Sequence, residues 1–248
     1  MDRFKQNEYF IDIVAAVMFF TKIPVTWSKF SDETPDLARA SWAFTLVGLI
    51  IGLLSGLIGE IFLILGLTPS LSCIIAIAFS IFITGALHED GLADVADGFG
   101  GGGSSEKITE IMHDSRLGTY GVIALLLSLS MRIAVVISLV DLGYSLVLVL
   151  SIGLASGKLA ILYTRAFFNP SDLANLGNSL GSIPTANLVV ATAIWGIPVI
   201  IFFPILGSLL GVVFVSFLIY FGGLKSEQKL GGITGDILGA IAFSSEIM

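Results

Sequence analysis

The sequence predicts an all-α fold: a polytopic integral membrane helical bundle of about six transmembrane helices, in a single domain over residues 1–248. Hydrophobic residues make up 55% of the chain and charged residues only 12%. The mean hydropathy is +0.97, far above what a soluble domain of this length needs. The apolar residues also gather into six runs that we assign as spans, at 42–65, 70–87, 121–140, 144–163, 187–206 and 209–224.

A shorter apolar stretch, 11–20, precedes these runs and follows Arg3 and Lys5. It has the outline of a signal peptide, but no small-x-small cleavage pattern comes before Lys22, so we expect it to be retained. A membrane core needs about 20 apolar residues. This stretch is therefore predicted to form a short interfacial or re-entrant helix.

The distribution of basic residues predicts the orientation. The short joints at 66–69, 141–143 and 207–208 contain no Lys or Arg, whereas the long loops on the other side contain many. The positive-inside rule then places both termini and the long loops in the cytoplasm. We expect a multi-pass protein of the cell (inner) membrane, with the lipid bilayer as a partner and the active site facing the cytoplasm.

Two further features exclude whole classes of function. The net charge of −7 argues against nucleic acid as a partner. The single cysteine, Cys73, lies inside an apolar run, so the chain has neither a disulfide framework nor a thiol metal site. The sequence allows a homo-oligomer without requiring one.

The acidic stretch at 88–121 holds the strongest chemical signal. On a helix, Asp90, Asp94 and Asp97 follow each other at i, i+4 and i+7, within an arc of about 60°. Like charges at this spacing repel one another unless a cation binds them. A hard divalent cation, usually Mg²⁺ where phosphates are substrates, fits such a set. The alternative is a solvated acidic loop.

Three more segments are candidates for a role at the site. Asp114, Ser115 and Arg116 combine an acid, a hydroxyl and a guanidinium, and the planar guanidinium suits a phosphate. The alternative for this segment is a helix joint with Arg116 at lipid headgroups. Glycines at 98–103 lack the Walker pattern and favour a hinge. In the tail, Thr234 and Asp236 lie among four glycines, as in a metal or phosphate contact, or in a glycine-rich packing helix.

Isolated polar residues in the spans and loops are less specific. Arg132 falls in the middle of a span and is expected to face the bundle interior, bound to an anionic group or a carboxylate. Lys158 is near the cytoplasmic end of its span, where it could reach the site or the headgroups. Asn178, in a loop with Gly177 and Gly181, indicates only a turn.

Taken together, these motifs resemble the cobalamin synthase family, adenosylcobinamide-GDP ribazoletransferase. They cover most of the chain in the family's order. The matching segments are Phe20-Thr21-Lys22-Ile23-Pro24-Val25, His88-x-Asp90-Gly91-Leu92-Ala93-Asp94-x-x-Asp97-Gly98, Ile111-Met112-x-Asp114-Ser115-Arg116-x-Gly118-Thr119 and Gly231-Gly232-x-Thr234-Gly235-Asp236-x-Leu238-Gly239-Ala240.

The resemblance implies a reaction and a set of roles. The enzyme would join adenosylcobinamide-GDP to α-ribazole or its 5′-phosphate, release GMP, and form adenosylcobalamin or its 5′-phosphate. Mg²⁺ would be the cofactor. The implied catalytic residues are His88, Asp90, Asp94 and Asp97, the implied metal ligands are Asp90, Asp94, Asp97 and Asp236, and the implied substrate-binding residues are Asp114, Ser115, Arg116, Lys158, Asn178, Thr234 and Gly235.

Two other classes of function are alternatives to this one. A CDP-alcohol phosphotransferase of phospholipid synthesis also uses an Asp-rich motif in a six-span bundle, but it wants an Ala-Arg pair after Asp-Gly, and here Ala93 is followed by Asp94. A cation-coupled transporter should carry ionisable residues near the midplane of several spans, and only Arg132 fits that description.

Overall fold

The computed structural model describes residues 7–172 and 180–247. These residues form ten α-helices and no β-strand. In chain order the helices are α1 Glu8–Phe20, α2 Trp42–Ile64, α3 Pro69–Thr84, α4 Leu87–Gly101, α5 Ser105–Met112, α6 Thr119–Asp141, α7 Leu146–Phe167, α8 Thr185–Phe202, α9 Ile205–Leu230 and α10 Gly235–Glu246.

The long helices confirm a polytopic membrane bundle. Five helices, α2 and α6 to α9, are long and apolar enough to cross a membrane. A sixth span exists if α3 and α4, which meet at a bend of 85°, count as one broken span. The 16 residues of α3 extend only about 24 Å, less than the hydrocarbon core of about 30 Å.

The break between α3 and α4 corrects the predicted end of the second run at residue 87. The helix ends at Thr84 because Gly85 (φ 67°) and Ala86 (φ 59°) both adopt the left-handed conformation. That conformation costs an alanine free energy and does not continue a right-handed helix. Leu87 therefore begins α4, and the acidic helix runs nearly at right angles to α3.

The joint between α8 and α9 also lies elsewhere than the predicted 207–208. It is formed by Phe203 and Pro204. Phe203 is extended (φ −115°, ψ 150°), as expected for a residue before proline, and Pro204 has no N–H to continue the ladder. The following helix α9 then continues to Leu230, past the predicted end at 224.

The N-terminal helix is short, as predicted. Its 13 residues cannot cross a bilayer. Asp12 is buried and accepts hydrogen bonds from Arg39 Nε (2.8 Å) and Trp42 Nε1 (3.0 Å). This contact fixes α1 to the start of α2.

Glycines bring α2 and α7 into close backbone contact. Gly48, Gly52 and Gly56 recur every fourth residue on the face of α2 that meets α7. A Cβ added at Gly48 would lie 2.8 Å from the Cα of Ala155. Small residues at this spacing let membrane helices approach closely, and α7 becomes the central buried helix of the bundle.

The C-terminal tail forms a helix that is buried in the bundle. Helix α10 packs against both α4 and α7, and most of its 12 residues are buried. Gly153 of α7 makes room for its end, since a Cβ there would lie 2.9 Å from the Glu246 carbonyl oxygen. The tail appears polar at 231–236, but from Ile237 onwards it is largely apolar, which is why it folds into the bundle.

Candidate active site

Helix α4 carries all three acids of the predicted single face. The structure confirms that Asp90, Asp94 and Asp97 belong to one helix. Their exposure falls along the helix: Asp90 is exposed, Asp94 is half-buried and Asp97 is buried. The three carboxylates therefore have different surroundings.

Asp97 is bound to the start of α6. Its two carboxylate oxygens accept hydrogen bonds from the backbone N–H groups of Gly118 (2.7 Å) and Gly121 (2.8 Å). These are N–H groups that a helix start leaves without an intrahelical partner, and a negative charge is favoured there. Glycine is needed at both positions because a Cβ would collide with the Asp97 side chain.

The N-terminus of α10 meets α4 beside these acids. A Cβ added at Gly91 would lie 2.7 Å from the Asp236 carbonyl oxygen. Thr234 caps α10 by accepting a hydrogen bond from the Ile237 N–H (3.3 Å). Ile233, just before the cap, is held by a backbone hydrogen bond to the Asn169 carbonyl (2.9 Å). Asp236 is thereby placed next to the acids of α4.

The four carboxylates form an acid-only cluster, which we define as Asp90, Asp94, Asp97 and Asp236. Asp94 is repelled by each of the other three. None of the four forms an ion pair with a Lys, Arg or His side chain among residues 7–172 and 180–247. Partial burial raises the pKa of Asp236, nearby His113 opposes that shift, and Asp90 adds to it.

A second group of ionisable side chains lies inside the bundle, and we call it the buried ion network. Lys158 Nζ donates to Glu246 Oε1 at 2.7 Å. Arg132 Nη1 lies 3.3 Å from Glu246 Oε2 and 3.6 Å from Glu89 Oε1. His88 Nδ1 lies 3.0 Å from Glu246 Oε1, and it is the donor because an ionised carboxylate only accepts. All five side chains are buried.

Two comparisons with known proteins bear on this arrangement. The profile of the family described as cobalamin-5-phosphate synthase matches residues 12–248. This chain belongs to the cobalamin-5-phosphate synthase family. An adenosylcobinamide-GDP ribazoletransferase of Bradyrhizobium diazoefficiens is 36% identical over 237 residues, which are 96% of this chain and 90% of the relative.

Other relatives of the family carry the same name. The Rhizobium johnstonii protein is 36% identical over 263 residues, 98% of this chain and 96% of its own length. The Azorhizobium caulinodans protein is 35% identical over 255 residues, with 98% and 95% covered. No solved structure matches the chain. These comparisons lend no support to the CDP-alcohol phosphotransferase alternative.

The cation that the family resemblance implies, Mg²⁺, fits the acid-only cluster. Among the described residues, no group of three or more His, Cys, Asp or Glu side chains is arranged to hold a metal ion by itself. Mg²⁺ does not need such a group, because it keeps several waters and binds through one or two carboxylates together with substrate phosphates. The carboxylates of the acid-only cluster repel one another and form no ion pair with a basic side chain of the described residues. They are therefore available as ligands for such a cation.

The structure separates two of the predicted site residues from the cluster. Lys158 is fully buried on Glu246, and the His88 side chain bonds to the same carboxylate. The predicted roles of Lys158 on phosphate and of His88 as a proton acceptor stay predictions, with side chains that point into the bundle.

The other predicted substrate contacts lie at the surface or outside the described part of the chain. Arg116 Nη2 pairs with Asp114 Oδ2 at 2.6 Å, and this hydrogen bond lowers the pKa of Asp114 to about 2. Ser115 between them is exposed. Gly235 is the first residue of α10. Asn178 lies outside the described residues.

Sequence reasoning missed two residues of the buried ion network and one residue near the acid-only cluster. Glu89 and Glu246 were not assigned a role, and His113 was passed over within a matched motif. One signal was available for the first two: a lone arginine in the middle of a span requires a carboxylate partner. Nothing in the sequence specified which carboxylate it would be.

An apolar cavity lies away from the acids. It has a volume of about 1000 Å³ and lies between α7, α8 and α9, with an apolar wall. Four of its polar side chains form two hydrogen-bonded pairs: Trp195 Nε1 donates to Ser156 Oγ at 2.7 Å, and the Tyr163 and Thr192 hydroxyls lie 2.8 Å apart. This cavity has none of the charged groups that a phosphate needs.

Proposed function

We propose that this protein is an adenosylcobinamide-GDP ribazoletransferase. It joins adenosylcobinamide-GDP to α-ribazole or its 5′-phosphate and releases GMP. Family membership supports this proposal over nearly the whole chain, and so do the motifs at 88–98, 111–119 and 231–240. The product is adenosylcobalamin or its 5′-phosphate, in the step that assembles the nucleotide loop.

The observation that carries the mechanism is the acid-only cluster. A ribose hydroxyl oxygen forms a bond to the phosphorus attached to cobinamide, and the bond from that phosphorus to the GMP oxygen breaks. Negative charge develops on the oxygen that bridged the two phosphates and that leaves with GMP. When held by carboxylates of this cluster, Mg²⁺ would supply the neutralising charge.

The remaining residues position the helices and the substrate. Asp97 sets the start of α6 relative to α4 through its two backbone hydrogen bonds, and this positions the 114–116 turn that leads into α6. The Arg116 guanidinium is a surface group suited to a phosphate oxygen. Because His88 donates to Glu246, a carboxylate of the cluster that holds no metal is the better acceptor for the ribose proton.

Turnover by the purified protein tests the proposal. We expect GMP release from adenosylcobinamide-GDP and α-ribazole in the presence of Mg²⁺ and none after chelation. The Asp94→Asn variant should insert normally and lose nearly all of its turnover, while Asp141→Asn, an exposed acid at the other end of α6, should behave as the parent. Mg²⁺-independent GMP release would contradict the metal assignment.

The proposed orientation places the cluster on the cytoplasmic side of the cell membrane. The α6–α7 joint and the 102–118 segment lie at opposite ends of α6, so they mark opposite faces. Leu142→Cys should react with an impermeant maleimide from outside, whereas Glu106→Cys and Gln228→Cys should not; the native Cys73 is buried. The reverse labelling pattern would move the active site to the other compartment.

A further inference from the structure

Glu246 joins three other helices although the reaction itself makes no use of it. Its carboxylate binds Lys158 of α7 (2.7 Å), His88 of α4 (3.0 Å) and Arg132 of α6 (3.3 Å). Gly157 of α7 makes room for it, since a Cβ there would lie 2.6 Å from Glu246 Cγ. So many contacts at one buried side chain indicate that Glu246 has a specific structural role.

The same two helices carry Glu246 and the acid-only cluster. Asp236 is in the first turn of α10 and Glu246 is its last residue, a separation of ten residues or about 15 Å. Gly91 of α4 meets Asp236, while His88 meets Gly239 and Glu246. The two helices are therefore antiparallel, with the cluster at one end of their contact and the buried ion network at the other.

Repulsion within the cluster acts to separate these helices. Asp94 of α4 is repelled by Asp236 of α10 as well as by its neighbours. Glu246 opposes that separation, because withdrawing α10 would leave Lys158 and Arg132 buried without their shared carboxylate, and an uncompensated buried charge is strongly unfavourable. The network and the cluster thus act on the same helix in opposite directions.

We propose that Glu246 is a positioning residue that holds α10 against α4, so that Asp236 stays close enough to the acids of α4 to share one divalent cation with them. This inference rests on the proposed function of the cluster as a metal site. It assigns to the end of the chain a role in metal affinity, although Glu246 itself is not a ligand.

Mn²⁺ binding to the purified full-length protein without substrate tests the inference, measured by electron paramagnetic resonance. Glu246→Gln keeps the size of the side chain but removes its charge. We expect Mn²⁺ affinity to fall about tenfold, the lower end of the effect of residues that support metal ligands. At saturating Mn²⁺, turnover should recover to within a few-fold of the parent, because no ligand has been removed.

A second variant covers the case in which Glu246→Gln does not fold. Lys158→Met combined with Glu246→Gln removes one cation and one anion, so the network stays balanced through Arg132 and Glu89. It should show the same loss of Mn²⁺ affinity. The matched control is Asp12→Asn with Arg39→Gln, which removes an ion pair of 2.8 Å between α1 and the start of α2. The control should lower thermal stability and leave Mn²⁺ affinity unchanged.

The outcomes separate the two proposals. If the parent and both Glu246 variants bind Mn²⁺ equally well, the positioning role is overturned and the metal site stands. If the control loses as much affinity as the Glu246 variants, the effect is general destabilisation and the positioning role is likewise overturned. A parent protein that binds no Mn²⁺ would overturn the metal site and this inference together.

Discussion

The two ends of the α4–α10 contact hold ionisable groups in opposite arrangements. At the buried end, Lys158 and Arg132 balance Glu246 and Glu89, and each charge has a partner within 3.6 Å. At the open end, Asp90, Asp94 and Asp236 repel one another without an ion pair among the described residues. Charge balance is internal at one end and must come from a ligand at the other.

This difference indicates how the protein divides stability from function. A buried charge without a partner is too costly to keep in a membrane bundle, so the network must be complete within the protein. A partly exposed acid-only cluster can remain incomplete because water screens it until a cation arrives. Substitutions at the two ends should therefore have opposite signatures.

The largest expected effect is on turnover, at the open end. Asp94→Asn should reduce turnover by about a thousandfold, the upper range for losing one electrostatic contact at a transition state. Stability should not fall, because the substitution relieves repulsion by Asp90, Asp236 and Asp97. Turnover at saturating Mg²⁺ and thermal unfolding in detergent measure the two properties. Near-normal turnover would show that Asp94 is not a ligand.

The next effect is on stability, at the buried end. Arg132→Met leaves Glu89 and Glu246 without their shared cation and should destabilise the fold by about 3–5 kcal/mol. Adding Glu89→Gln to the same chain should restore part of that loss. Thermal or denaturant unfolding in detergent measures both. A single variant as stable as the parent would mean that the network is not charge-balanced as described.

Asp236→Ala at the open end should again affect turnover alone. The expected fall is about a hundredfold or more, with stability within about 1 kcal/mol of the parent, since the side chain is only half-buried. The same turnover assay and unfolding measurement apply. A variant with turnover within a few-fold of the parent would leave α10 as a packing helix without a role in the site.

The smallest effect is expected at the crossing point between the two ends. Gly91→Ala brings a methyl group to within 2.7 Å of the Asp236 carbonyl oxygen. This should move α10 away from α4, which lowers stability by about 1–3 kcal/mol and also reduces turnover. Gly211→Ala is the control, because a Cβ there meets nothing within 4 Å. Equal stability of the two variants would argue against the close crossing.

The sequence by itself determined the class of the protein, most of its helices and the single face of acids. These are local properties: long apolar runs make spans, and i, i+4, i+7 spacing aligns Asp90, Asp94 and Asp97 wherever the helix lies. The α8–α9 joint was also open to local reasoning, because Pro204 marks it. The bend at Gly85 and Ala86 was not, because alanine carries no signal for a left-handed conformation.

Only the tertiary structure decided which charges meet. Arg132 and Lys158 come from consecutive helices, but Glu246 lies 88 residues beyond Lys158, and a charged residue in the sequence shows that it needs a partner but not which one. The packing of α10 between α4 and α7 made the choice, through glycines that admit a second backbone. The same packing placed Asp236 beside the acids of α4. The backbone N–H groups at the start of α6 donate hydrogen bonds to both carboxylate oxygens of Asp97.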